Sequence, residues 1–187
     1  MKRDMVRQSY SGIDIVSEAL HFAPMEYGTY EATLAHIHRV EEHEGKAFRA
    51  RIRVLRYEGV PAAPMPGKGS RIEYSFADLV EASLGLRMAE IGLPPTRIAM
   101  LIGRLRDDYP DWIERVTVLG SETGEDVFLC FFPNGPGPIF SSDDIFFHLD
   151  IGGRVLAYLR KEEGYFNLVI NCTTLIRNCR EALRATS

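Results

Sequence analysis

Between Lys46 and Tyr57 the chain reads KAFRARIRVLRY, with five basic residues (Lys46, Arg49, Arg51, Arg53 and Arg56) and no acidic one. A guanidinium is a planar fork of donors that matches guanine O6 and N7 and also fits phosphate oxygens. The chemistry this run can do is recognition of a polyanion, and the bland alternative is a solvated charged helix face. Wound as a helix, the run places Phe48, Ile52 and Leu55 on a narrow arc at i, i+4, i+7. Lys46, Arg49, Arg53 and Arg56 then fall on the adjacent arc at i, i+3, i+7, i+10. One side can anchor in a core while its neighbour presents a basic ridge wide enough for a major groove. No carboxylate within the run neutralises the arginines, and Glu41-Glu42-His43-Glu44 lies immediately before it.

Other residues that could do chemistry make weaker cases. His36, His38 and His43 invite a metal, but on a helix residues 36 and 38 point about 200° apart. Val40 stands where a second ligand one turn after His36 would have to be, so these read as surface histidines and no metal is expected. Asp143, Asp144 and Asp150 with His148 could be drawn as a hydrolytic site, yet no nucleophile or paired-carboxylate geometry is specified. PMPGKGS (residues 64–70) lacks the glycine spacing and the preceding buried strand of a nucleotide-binding loop. Cys130, Cys172 and Cys179 form neither a CxxC nor a disulfide framework, and buried thiols in a reducing, cytoplasmic setting are the natural reading. The chain is expected to be no enzyme and to need no cofactor.

Composition agrees with an ordinary globular protein: 187 residues, 45% hydrophobic, 26% charged. No apolar run approaches the roughly 18 residues that span a bilayer, so no membrane partner is expected. The N-terminal stretch lacks a long apolar core followed by a cleavage site, and no secretory signal is expected. A net charge of −4 is only a sum, and a polyanion responds to whether positive charge is gathered on one surface.

The elements that must position the basic run follow from periodicity. In residues 1–26, Ile13, Ile15, Val16, Leu20 and Phe22 fit a short strand leading into a helix, or an arm on a partner. Thr29 to Glu44 is expected as a helix, capped by Thr29 and stopped at Gly45. The basic helix occupies Lys46–Tyr57. A Gly/Pro-rich connection follows, with Lys68 and Arg71 near its tip and strand alternation at Arg71–Tyr74. Ser75, with Asp78 three residues on, caps a helix to about Ile91 that Gly92 closes. Pro94-Pro95 opens another, with Ile98, Leu101, Ile102 and Leu105 on one face, and the two helices should pack as a hairpin. Beyond Asp107, strands are expected at Arg115–Leu119, Val127–Phe132, Ile145–Leu149, Arg154–Leu159 and Phe166–Ile170. A last helix, capped by Asn171 or Thr173, would back this small antiparallel sheet. The phenylalanines of this half read as core.

The order of the pieces carries more than any one of them. Leu55-Arg56-Tyr57-Glu58, Gly59-Val60-Pro61, Arg71 to Leu79, Met88 to Leu93 and Thr96 to Ile98 resemble the successive phrases of the MerR-type winged helix-turn-helix, over roughly residues 31–106. The chain departs from that pattern at Glu58, where a second aromatic is usual. It also lacks the long coiled coil that follows in the family, because Pro110 interrupts, and it has no counterpart of the metal-binding cysteines. The resemblance implies an α+β protein with an N-terminal arm (1–26), a winged helix DNA-binding domain (27–106) and an α+β dimerisation or sensor unit (107–187). It implies a sequence-specific transcriptional regulator that binds double-stranded DNA as a homodimer. Arg49 and Arg53 would contact bases, and Lys46, Arg56, Lys68 and Arg71 phosphates, with Arg51 completing the set. A small-molecule effector has no support in the residues. The alternative is an adaptor or anti-repressor that keeps the scaffold for binding protein.

Overall fold

The structure, a computed structural model, describes residues 22–62, 72–133, 145–161 and 168–186. A two-residue strand β1 (Met25–Glu26) pairs antiparallel with β2 (Glu73–Tyr74), Met25 opposite Tyr74. Between them run helix α1 (Tyr27–Ile37), a single 3-10 turn (Glu42–Glu44) and helix α2 (Gly45–Tyr57). After β2 come α3 (Phe76–Glu90), α4 (Pro95–Asp108) and α5 (Trp112–Thr123). The C-terminal part holds β3 (Val127–Pro133), β4 (Ile145–Ile151), α6 (Gly152–Lys161), β5 (Leu168–Asn171) and α7 (Cys172–Thr186). The described residues thus form an α+β fold of seven α-helices and two small antiparallel sheets.

Helix α3 is the axis of the core. Ten of its fifteen residues are buried, on all sides of the helix, as expected of one surrounded by other elements. Ser75 caps it as the sequence suggests: its Oγ accepts from Asp78 N at 3.1 Å and Asp78 Oδ2 accepts from Ser75 N at 2.7 Å. Gly92, at φ +89, ends it. Helix α4 packs back on α3 through Ile98, Leu101, Ile102 and Leu105, the expected stripe.

The second sheet has order β4-β3-β5, with Leu129 opposite both Leu149 and Ile170. Helix α7 backs it, burying Cys172, Leu175, Ile176, Cys179, Ala182 and Leu183 along one stripe. Asn171 caps this helix, its Oδ1 accepting from Thr174 N at 2.8 Å. The far end of α7 packs against α1, where Thr33 Oγ1 and Thr186 Oγ1 share a 2.7 Å hydrogen bond. One continuous cluster of buried apolar residues therefore runs from Met25 to Leu183, and the expected 27–106 and 107–187 segments share it.

Four expectations are corrected. The first helix starts at Tyr27 and ends at Ile37, because Arg39 takes a left-handed φ of +51 that no helix continues through. Gly45 then opens α2 with helical angles instead of stopping α1. Arg115–Leu119 is helical: Trp112, Ile113 and Val116 bury one face of α5, and that packing overrides the strand preference of Val116, Thr117 and Val118. Arg154–Leu159, expected as a strand, lies in α6, which opens with Gly152 and Gly153. The strand expected at Phe166–Ile170 is found at Leu168–Asn171, and residues 166 and 167 lie outside the described residues.

Candidate nucleic-acid interface

Helix α2 is built as its spacing demands. Phe48, Ile52 and Leu55 are buried, and Lys46, Arg49, Arg51 and Arg53 are exposed. The acidic stretch before it works in its favour, since Glu42 and Glu44 sit at the positive end of the helix dipole and Arg56 in the last turn at the negative end. The helix closes at Gly59, φ +88, with Gly59 N bonded to Arg56 O and Val60 N to Leu55 O.

The basic residues divide into three environments. Lys46 and Arg53 stand on the outward arc, and Arg49 beside them meets Glu31 of α1 at 3.3 Å. A surface pair of that length contributes about 0–1 kcal/mol and leaves the guanidinium free to exchange partners. Arg51 projects to the other side, into a cleft with His38, Glu44 and Glu90. Arg56 is half-buried, its guanidinium carbon 5.7 Å from the centre of the Tyr74 ring. Lys68 and Arg71 lie outside the described residues.

The Phe48, Ile52 and Leu55 face of α2 packs on α3 and α4, and an aromatic stack flanks its last turn at Arg56. Tyr30 of α1 and Tyr74 of β2 stack at 4.0 Å and 14° beneath Arg56, and Tyr27 leans on both. Burial raises the pKa of Tyr30 well above its ordinary value, with the Tyr74 and Asp78 charges adding to it, so the stack stays neutral. The turn after α2 is fixed from the other side. Arg106 of α4 grips Glu81 of α3 through two bonds, Nε to Oε1 at 2.9 Å and Nη2 to Oε2 at 2.7 Å, and Nη2 also reaches Gly59 O at 3.2 Å. Glu81 is one of two polar side chains buried in α3, and this fork is what lets it stay there.

The other is Ser83, whose partner overturns the reading of His38 as a surface residue. The His38 side chain is only 2% exposed, its Nδ1 at 2.6 Å from Glu90 Oε1 and its Nε2 at 3.3 Å from Ser83 Oγ. Arg87 completes the cluster, donating to Glu90 Oε2 at 2.9 Å and to Ile37 O at 3.3 Å. The serine–histidine–carboxylate order is that of a hydrolytic relay, but Ser83 is wholly buried inside α3, where no substrate reaches Oγ. The cluster instead ties the end of α1 to the end of α3.

Burial lowers the pKa of His38 against the opposing pull of Glu90. For Glu90, burial pushes upward, but the hydrogen bonds from His38 and Arg87 outweigh it and the net shift is downward. His38 is thus bound neutral, and folding loses stability as pH falls through its unfolded value of 6.5. Glu90 contributes stability that is present above its unfolded value of 4.5 and is lost as pH falls through its lower folded one. Thermal melts from pH 7.5 to 5 should therefore show a falling midpoint, and His38→Gln should flatten the slope over that interval.

Among the described residues the remaining candidates do not assemble a site. Burial pushes the Cys130 thiol up to about 11 and those of Cys172 and Cys179 to about 12, so all three are inert at neutral pH. Asp150 is engaged by Ile151 N at 2.8 Å and Arg154 at 3.4 Å, while Asp143 and Asp144 lie outside the described residues. Among the described residues no group of three His, Cys, Asp or Glu is placed to hold a metal ion, and no helix is long and apolar enough to cross a membrane.

Periodicity reveals the basic ridge. It misses the tyrosine stack, the His38 cluster and the exposure of Val54 beside the ridge. Compared with protein-family models and with curated proteins, the chain matches none.

Proposed function

We propose that the protein is a sequence-specific DNA-binding regulator of the MerR-like winged helix type, with α2 entering the major groove. The observation that carries this reading is the exposed face of α2. It presents Lys46, Arg49 and Arg53 with no acidic residue from Gly45 to Tyr57, on a helix whose opposite face is locked in the core. Arginine forks on such a face can meet base edges, and lysine a phosphate. The pairing of β1 with β2 supports the reading as well, because it joins the strand before α1 to Glu73–Tyr74, the end of the stretch read as a wing.

A cytoplasmic homodimer is part of the proposal. One α2 covers only a few base pairs, and two copies related by a two-fold axis read symmetric half-sites about one helical turn, roughly 34 Å, apart. A second reading, a protein-binding adaptor, draws on one observation, the exposed Val54 and Tyr57 on the same helix. Capture of fragmented genomic DNA by the purified protein, with sequencing of what is retained, separates the two. The regulator enriches a discrete class of sites, and the adaptor enriches none.

A further inference from the structure

The large apolar side chains exposed among the described residues are few: Tyr27, Val54, Tyr57, Ile91 and Leu156. Two of them stand on α2, three residues apart and so on one face of the helix. Val54 is 45% exposed and Tyr57 77%. Their neighbours on this face are the exposed Ala47 and Ala50, seven and four residues before Val54, with Arg53 on one flank and Arg51 on the other. The alanines carry nothing beyond Cβ, so the backbone of α2 can approach a partner surface closely along this strip.

A helix that touched only phosphates would have no use for an isopropyl group amid its cations, because a phosphate offers no apolar counterpart. A major groove does offer one, the C5-methyl group of thymine. We propose that Val54, flanked by the Tyr57 ring, reads thymine methyl groups next to the bases that Arg49 and Arg53 contact. This rests on the reading of α2 as the recognition helix. The occupant is duplex DNA on charge grounds, since the strip adjoins the arc of exposed Lys46, Arg49 and Arg53 on a helix with no acidic residue from Gly45 to Tyr57.

The test replaces each thymine of a captured duplex singly by deoxyuridine, which removes the methyl and leaves every hydrogen-bonding group. Affinities are read by fluorescence anisotropy for the wild-type and Val54→Ala chains. At one or two thymines the wild-type chain should bind about fourfold more weakly, the equivalent of one CH2-sized group left in water. Val54→Ala should lose the thymine–uracil difference at one of those positions and keep the salt dependence of binding. The substitution lies at a partly exposed helix position and suits a helix, so the variant keeps its fold, which an unchanged melting midpoint verifies. Duplex binding that is indifferent to every methyl, or a Val54→Ala chain that keeps the thymine–uracil difference at every position where the wild-type shows one, overturns the assignment alone. A chain that binds no duplex overturns the reading of α2 and this assignment with it.

Discussion

Replacing Arg49 and Arg53 together by alanine should weaken binding to the captured duplex by at least about 30-fold, with little change in stability. Each arginine that forks a guanine contributes roughly 1–3 kcal/mol of discrimination, so two together account for at least about 2 kcal/mol. The loss should be concentrated in specific binding. Lys46 and the rest of the ridge still attract any duplex, and the salt dependence should flatten by about one unit for each phosphate no longer neutralised. Both side chains are exposed, and surface changes of this kind stay within about 0.5 kcal/mol in folding. The ion pair removed among the described residues, Arg49–Glu31 at 3.3 Å, is worth about 0–1 kcal/mol at such an exposed site. Anisotropy titrations at several salt concentrations, beside a thermal melt, measure both halves. Lysine at the same positions should restore much of the nonspecific affinity but little of the specificity, because an ammonium has no fork.

The second large effect lies in the scaffold. Glu81→Leu should destabilise the protein by about 3 kcal/mol in urea unfolding, near the lower end of what breaking a buried ion pair costs. The low end is expected because Arg106 keeps 26% of its side chain exposed and recovers some hydration. The loss reaches further than the pair. Arg106 also holds Gly59 O at 3.2 Å, so freeing it loosens the turn that ends α2. Adding Arg106→Leu removes the stranded charge and should recover part of the stability. It should not restore duplex affinity in full, since the Gly59 carbonyl is still without its donor. A double variant as unstable as Glu81→Leu alone would show that the ion pair is not what sets the cost.

Much of this architecture is legible in the sequence, for reasons that can be assigned residue by residue. Helices α2, α4 and α7 each carry an apolar stripe at helical spacing, and Phe48–Ile52–Leu55 or Leu175–Ile176–Cys179 can bury in only one way. Ser75 and Asp78 make their capping bonds within four residues, so local sequence suffices to foresee them. The length of helix α5 is hidden because Val116, Thr117 and Val118 carry strand preference locally, and the core around Trp112 outweighs it. Helix α6 is hidden because two glycines stand at its start, where a turn is the ordinary expectation.

The site is less legible than the fold, because its supports are long-range. His38 reads as a surface residue until Glu90, 52 residues later, is placed against it. Tyr30 and Tyr74 carry no local sign that they stack, and the pairing of β1 with β2 is what brings them together. The outward arc of α2 belongs to the legible part, since residue types and a helical period define it. Which residues beside the arginines stand exposed, Val54 and Tyr57 among them, depends on what the neighbouring helices cover.

The measurement that bears most directly on α2 is the genomic capture run in parallel for the wild-type and the Arg49→Ala/Arg53→Ala chains. The wild-type protein should retain a discrete class of sites sharing one motif, and the variant should retain DNA without that motif. Equal recovery of all fragments by both chains, or the same motif retained by both, would rule out α2 as the recognition helix.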